Sequence, residues 1–193
     1  MNRFSLFSSP WWVNFLILVP VILFFWWRKN RLSLTKSELL KTAVFAFSLG
    51  LIESSVVIYL RAVLGFLPGY KGTIFDIWRE ASSFYNQQVV ISNLPQSLVV
   101  IEVIREFSTM IILAAIAWIV AKKLKEGIAV FLWTFAIWDI TYYVYLWLTV
   151  RWPTSLTTPD VLFLIPQPWF GQVWYPLLVS SLSVLVVFVS SKD

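Results

Sequence analysis

This sequence contains no cysteine and no histidine. Their absence excludes a disulfide framework, a Cys–His zinc site, a thiol nucleophile and a haem held by histidine. Any metal would have to be a hard cation on oxygen ligands. No metal-ligand, nucleophile or cofactor motif is found, so neither a metal nor a cofactor is expected. Charge is scarce as well. Only 13% of residues are Asp, Glu, Lys or Arg, where soluble domains carry roughly a quarter.

What fills the chain instead is apolar. Of 193 residues, 59% are hydrophobic, and the mean hydropathy is +0.78. Aromatics are abundant, with 12 Trp, 16 Phe and 7 Tyr. Trp and Tyr collect at bilayer interfaces, where ring and polar edge are both satisfied. The net charge of +5 does not point to nucleic acid. Its Lys and Arg sit in short tracts between apolar runs, as they do in cytoplasmic loops of membrane proteins.

A membrane-crossing helix needs about 20 mostly apolar residues. Five segments qualify, roughly 10–27, 40–66, 98–121, 127–150 and 172–190. The fold expected is an all-α membrane bundle of five helices forming a single domain over residues 1–193. Residues 1–27 read as an uncleaved first helix, because the apolar run ends in "WWRKNR" and not in a small-residue cleavage site.

Lys and Arg set the orientation. The first loop carries Arg28, Lys29, Arg31, Lys36 and Lys41, and the third carries Lys122, Lys123 and Lys125. The positive-inside rule puts these loops in the cytoplasm, hence the N-terminus outside and the C-terminus inside. A bacterial cytoplasmic membrane is the expected location. In the outer second loop, Thr73 and Asp76 resemble a capping box. Ile74, Ile77, Trp78, Ala81 and Phe84 then follow at helical spacing, which predicts a helix lying at the interface or packed on the bundle. The fourth loop, "RWPTSLTTPDVLFLIPQPWFGQVWYP", is apolar but too short to span. Pro159 suggests a helix start, ended by Pro166 and Pro168, in a re-entrant or surface-lying segment.

The costly residues lie inside the segments. Glu53 is in the middle of the second, and Arg61 shares its face eight residues on. Glu102, Arg105, Glu106 and Thr109 share one face of the third. Asp139 sits in "AIWDITYYVYLW", with Tyr142 and Tyr143 one turn beyond. A charged side chain at the bilayer centre costs about 2.5–3.5 kcal/mol on insertion scales. Glu53 and Asp139 must therefore face the interior and find partners. For Asp139 the expected partner is Arg61 or Arg105, with a hydroxyl from Tyr142 or Tyr143. Four carboxylates (Glu53, Glu102, Glu106, Asp139) then face two arginines (Arg61, Arg105). Either some carry a proton or the site hosts a cation. A saturated salt-bridge network that only fixes helix register is the structural alternative.

Ala46, Gly50 and Ser54 recur every fourth residue beside Glu53, a spacing that lets helix backbones approach closely. Trp11, Trp12, Trp26, Trp27, Trp152 and Trp169 sit at segment ends, and belt anchoring is the expected role. A cage for a cationic ligand at Trp138, Trp147 and Trp152 is the less favoured reading.

Three stretches together, "LIESSVVIYLRAV", "IEVIREFSTMIILAAIAW" and "FAIWDITYYVYLWLTVRWPTSLTTPDVLFLIPQPW", resemble a family of small bacterial multi-pass membrane proteins with no assigned activity. The resemblance covers roughly residues 45–185 and implies a compact helical membrane domain, without any catalytic residue. In size and Trp content the chain is also similar to the tryptophan-rich sensory proteins, but lacks their Trp-Pro-rich signature.

Three functions follow from these residues. The first is binding or transport of a small solute or ion, proton-coupled or not, at Glu53, Arg61, Glu102, Arg105, Glu106, Asp139, Tyr142 and Tyr143. The second is an enzyme acting on a lipid-linked substrate, with Glu102 and Glu106 as acid and base and Arg105 on a phosphate. The third is an accessory subunit of a larger membrane complex or homo-oligomer.

Overall fold

The computed structural model describes residues 7–63 and 95–192. The helix expected around Thr73 and Asp76 lies outside them, and so does the side chain of Arg61. A 3-10 helix, Trp11–Ile17, leads into α1, Leu18–Lys29. Three long helices follow: α2, Lys36–Val63; α3, Gln96–Val120; and α4, Leu124–Val150. A hairpin of β1, Pro159–Phe163, and β2, Trp169–Gln172, precedes α5, Trp174–Ser190. Among the described residues four spans are long and apolar enough to cross a membrane, and α5, at 17 residues, is shorter. The protein is thus mostly helical, and its apolar helices fit a membrane-embedded molecule.

The radial distribution of side chains gives the same answer. Polar side chains lie inside: Thr42, Ser54, Thr109, Thr134, Ser180 and Ser183 are all buried. Large apolar ones lie outside, among them Ile22, Phe25, Tyr59, Ile104, Trp118 and Ile119. Soluble monomers avoid such contiguous apolar surface, whereas hydrocarbon solvates it. The hydroxyls are made tolerable locally. Ser54, Thr109, Thr134 and Ser183 each donate to the carbonyl four residues earlier in their own helix.

Helix α4 is the axis of the bundle. It packs against α2, α3 and α5, and α1 docks on α5. The α2 contact is close because Gly50 has no side chain: a Cβ there would lie 2.8 Å from Thr141 Cβ and 2.9 Å from the Trp138 carbonyl oxygen. Ala46 and Ser54 are fully buried on the same stripe, and the Ser54 hydroxyl also reaches the Tyr142 carbonyl at 3.2 Å. The expected small-residue stripe is therefore a real contact, made with α4.

One end of the bundle is basic. Lys125 Nζ donates to the Arg31 carbonyl at 2.8 Å, joining the first loop to the third. Beside it the Ser33 hydroxyl donates to the buried carboxylate of Glu126. The C-terminus closes the same end, with Lys192 N–H on the Leu34 carbonyl and Lys36 Nζ on the Phe188 carbonyl, each at 2.9 Å. Helix α2 starts here with a capping box: the Glu38 carboxylate takes the Thr35 N–H at 2.8 Å, and the Glu38 N–H donates to Thr35 Oγ1 at 3.2 Å.

The other end carries the first difference from expectation. Residues after Pro159 form a strand, not a helix. Pro159 pairs with Gln172, Asp160 with Gly171 and Val161 with Phe170, antiparallel, with an irregularity before Phe163–Trp169. Pro159 is tolerated as the first strand residue, where its missing N–H costs least. A five-residue apolar run carries no helical period of its own, so the distant partner strand decides. Ser9 extends the sheet, exchanging bonds of 2.7 and 2.6 Å with Phe170. The hairpin lies across the helix ends because Tyr143 on α4 donates its hydroxyl to Asp160 Oδ2 at 2.6 Å.

Candidate functional site

Six of the predicted site residues do not converge on one point. They divide across α4 into two polar centres. The first lies between α2 and α3. Arg105 is its hub: its guanidinium pairs with Glu53, and Nη2 and Nε reach Glu102 Oε2 at 2.8 and 3.1 Å. Thr109 Oγ1 donates to Glu53 Oε1 at 2.5 Å. Glu53 is buried, while Arg105 keeps a quarter of its side chain exposed. Glu106 and the Tyr142 hydroxyl lie within electrostatic reach of the same guanidinium. Glu106 itself caps the hairpin, accepting the Leu164 N–H at 2.9 and 3.2 Å. Each of these carboxylates thus has a donor, and the centre is built like a register-fixing network.

The second centre holds Asp139, and here the expectation needs correcting. Asp139 does not meet Arg105, Tyr142 or Tyr143. Its hydrogen-bond partner among the described residues is Ser180 on α5, whose hydroxyl donates to Oδ2 at 2.8 Å. The reason is rotational. Successive residues of a helix are offset by about 100°, so α4 meets α2 with the Thr141 side chain and the Trp138 and Tyr142 backbone carbonyls, while Asp139 meets α5. Tyr143, one turn beyond Asp139, is occupied by Asp160.

Asp139 opens into a cavity of about 60 Å³. One buried water takes roughly 10–15 Å³ on this scale, so roughly four to six would fit. The walls are aromatic and apolar: Phe135 and Trp138 from α4, Leu162, Phe163 and Trp169 from the hairpin, Val13 and Leu16 from the 3-10 helix, and Tyr175, Pro176 and Val179 from α5. The hairpin forms its roof. Tyr175 is pinned there by its hydroxyl on the Val13 carbonyl at 2.6 Å. Two wall residues, Trp138 and Trp169, have buried indole N–H groups with no hydrogen-bond partner among the described residues. A buried donor without an acceptor loses about 1–3 kcal/mol of desolvation. Both indoles belong to residues that line the cavity together with Asp139.

Several contributors were not singled out from sequence. Ser180 is one of several serines in an apolar helix and carries no distinguishing signal. Asp160 is a lone carboxylate in "TPDVLFL", within the short helix expected from Pro159. It is buried, and it lies within electrostatic reach of Asp139. The tryptophan expectations also divide. Trp11 and Trp26 are exposed, as belt residues are, but Trp27 and Trp152 are buried in the core and Trp169 lines the cavity. Of the three tryptophans weighed as a cage, Trp147 has Arg151 over its ring at 4.9 Å, Trp138 lies near Tyr142 and Trp152 near Tyr143. Among the described residues no group of His, Cys, Asp and Glu is arranged to hold a metal ion. Comparison of the chain with protein-family models, with curated proteins and with solved structures found no match.

Proposed function

We propose that this chain is a five-helix protein of a bacterial cytoplasmic membrane that binds a small solute at Asp139, beneath the β-hairpin. In this reading α5 is the fifth crossing. Its 17 residues reach about 26 Å at 1.5 Å each, close to a hydrocarbon core of about 30 Å. The basic end, with Lys125 beside Arg31, faces the cytoplasm, and the hairpin and the N-terminal 3-10 helix lie on the outer side.

The observation that carries the proposal is the contrast between the two polar centres. In the first centre Arg105 pairs with both Glu53 and Glu102. The Asp139 centre has a cavity and, among the described residues, a carboxylate with one hydroxyl partner and two indole donors without acceptors. A solute that hydrogen-bonds there removes the cost of burying them. The lipid-linked enzyme finds less support, because its acid and base candidates are engaged: Glu102 by Arg105 and Glu106 by the Leu164 N–H.

The test uses the full chain in nanodiscs with ¹⁵N-labelled tryptophan. The Trp138 and Trp169 indole signals are assigned through Trp138→Phe and Trp169→Phe. Glycerol, urea, acetate and methylammonium are titrated in turn. Saturable movement of both signals by at least one probe, altered by Asp139→Asn, supports a binding cavity. Indifference of both signals to every probe overturns it. Flux of the responding probe in liposomes then separates a carrier from a binder.

A further inference from the structure

The stock of groups around Asp139 selects a class of solute, and this inference rests on the binding reading just given. We infer that the cavity takes a small organic ammonium group, with the Asp139 carboxylate as counter-charge and the tryptophan and phenylalanine rings as its walls.

The first argument is charge. A carboxylate buried among apolar groups needs a proton or a cation close by. No Lys or Arg lines the cavity among the described residues. Arg105, on the other side of α4, is held by Glu53 and Glu102. Among the described lining residues Asp139 is therefore the charged group. An anion would be repelled here.

The second argument is coordination. A sodium or calcium ion replaces its hydration shell with about six to eight oxygens. The lining offers the oxygens of Asp139 and the Ser180 hydroxyl, and otherwise rings and aliphatic groups. That is too few for a bare metal ion. An organic ammonium is more weakly hydrated, needs a single counter-charge, and is attracted to the faces of Trp, Tyr and Phe. Phe135, Trp138, Phe163, Trp169 and Tyr175 supply them.

The third argument is size and polarity. Room for roughly four to six waters suits a methylated ammonium headgroup. Among the described residues the indole donors of Trp138 and Trp169 have no acceptor. A hydroxyl or ester oxygen attached to the ammonium by a short linker would provide one. Free choline and ethanolamine carry this pattern, and so do the headgroups of the corresponding phospholipids.

The experiment compares choline with its uncharged carbon isostere, in which the quaternary nitrogen is replaced by carbon. Binding to the full chain in nanodiscs of phosphatidylglycerol is followed by the two indole signals. We expect choline to bind at least tenfold more tightly than the isostere, and Asp139→Asn to erase that preference. Trp169→Phe, which keeps a ring but removes the N–H, should weaken choline about threefold or more while leaving the preference for charge. Adding phosphatidylethanolamine to the discs distinguishes the sources. Loss of choline binding assigns the headgroup to lipid, and unchanged binding assigns it to a free solute; both support an ammonium site. Equal affinity for choline and the isostere overturns the ammonium inference but leaves the binding cavity standing. A site that answers to acetate or glycerol and not to choline does the same. No response to any probe removes both.

Discussion

The Ser180 hydroxyl on α5 and the Asp139 carboxylate on α4 meet at 2.8 Å. This one contact fixes which way the most isolated acid in the sequence points. A hydrogen bond to a charged group is worth about 1.5–3 kcal/mol. Ser180→Ala should therefore lower the unfolding free energy by that amount. Ser183→Ala, one turn on, is the control. Its hydroxyl bonds only the Val179 carbonyl of its own helix, and alanine is the better helix former. It should be neutral. Equal losses for the two variants, by thermal unfolding in detergent, would sink the assignment.

Among the described residues, Arg105 is the cation that pairs with both Glu53 and Glu102. Arg105→Ala leaves both carboxylates uncompensated and should cost about 3–5 kcal/mol. Adding Glu53→Gln removes one of the stranded charges. The double variant should recover about 1 kcal/mol or more over simple additivity. Additive losses in the same unfolding assay would show that the three groups do not act as a unit.

Two glycines should respond to alanine with opposite signs. At Gly50 the new Cβ meets Thr141 and the Trp138 backbone at under 3.0 Å, and the α2–α4 contact must open. Overpacking of this kind costs about 1–3 kcal/mol. At Gly127 the nearest atom is Ala121 Cβ, at 3.7 Å, an ordinary contact. Alanine there gains the helix propensity that glycine lacks, about 0.5–1 kcal/mol. Comparing the melting temperatures of the two variants checks both signs at once.

The absence of cysteine makes the proposed orientation directly readable. Lys123 lies at the basic end and Ser155 lies before the hairpin, and both are exposed. In spheroplasts of a bacterial host, a membrane-impermeant maleimide should label Ser155→Cys at once. It should label Lys123→Cys only after lysis. The reverse pattern would place the Asp139 cavity near the cytoplasmic side.

How much of this was legible in the sequence depended on the range of the interaction. The positions of the helices follow from local apolar runs, although the first expected segment is divided between a 3-10 helix, Trp11–Ile17, and α1. The shared face of Glu102, Arg105 and Thr109 is a matter of helical period and is present in α3. The Ala46–Gly50–Ser54 stripe was readable for the same reason. The capping box of Thr35 and Glu38 was readable too, and was overlooked. The hairpin was not: its β1 residues gain strand structure only from Trp169–Gln172, and the prolines between them suggested an ending helix.

The sequence by itself determined where the apolar runs lie and which end is basic. Long apolar runs with few charges fit lipid, and clustered Lys and Arg distinguish one end from the other. Tertiary structure alone decided that Glu53 joins Arg105 while Asp139 turns to Ser180 and a cavity. Helical periodicity says which residues share a face. It does not say which neighbouring helix that face will meet, because that depends on the order of helices around α4, and this order is set by contacts between residues far apart in the chain.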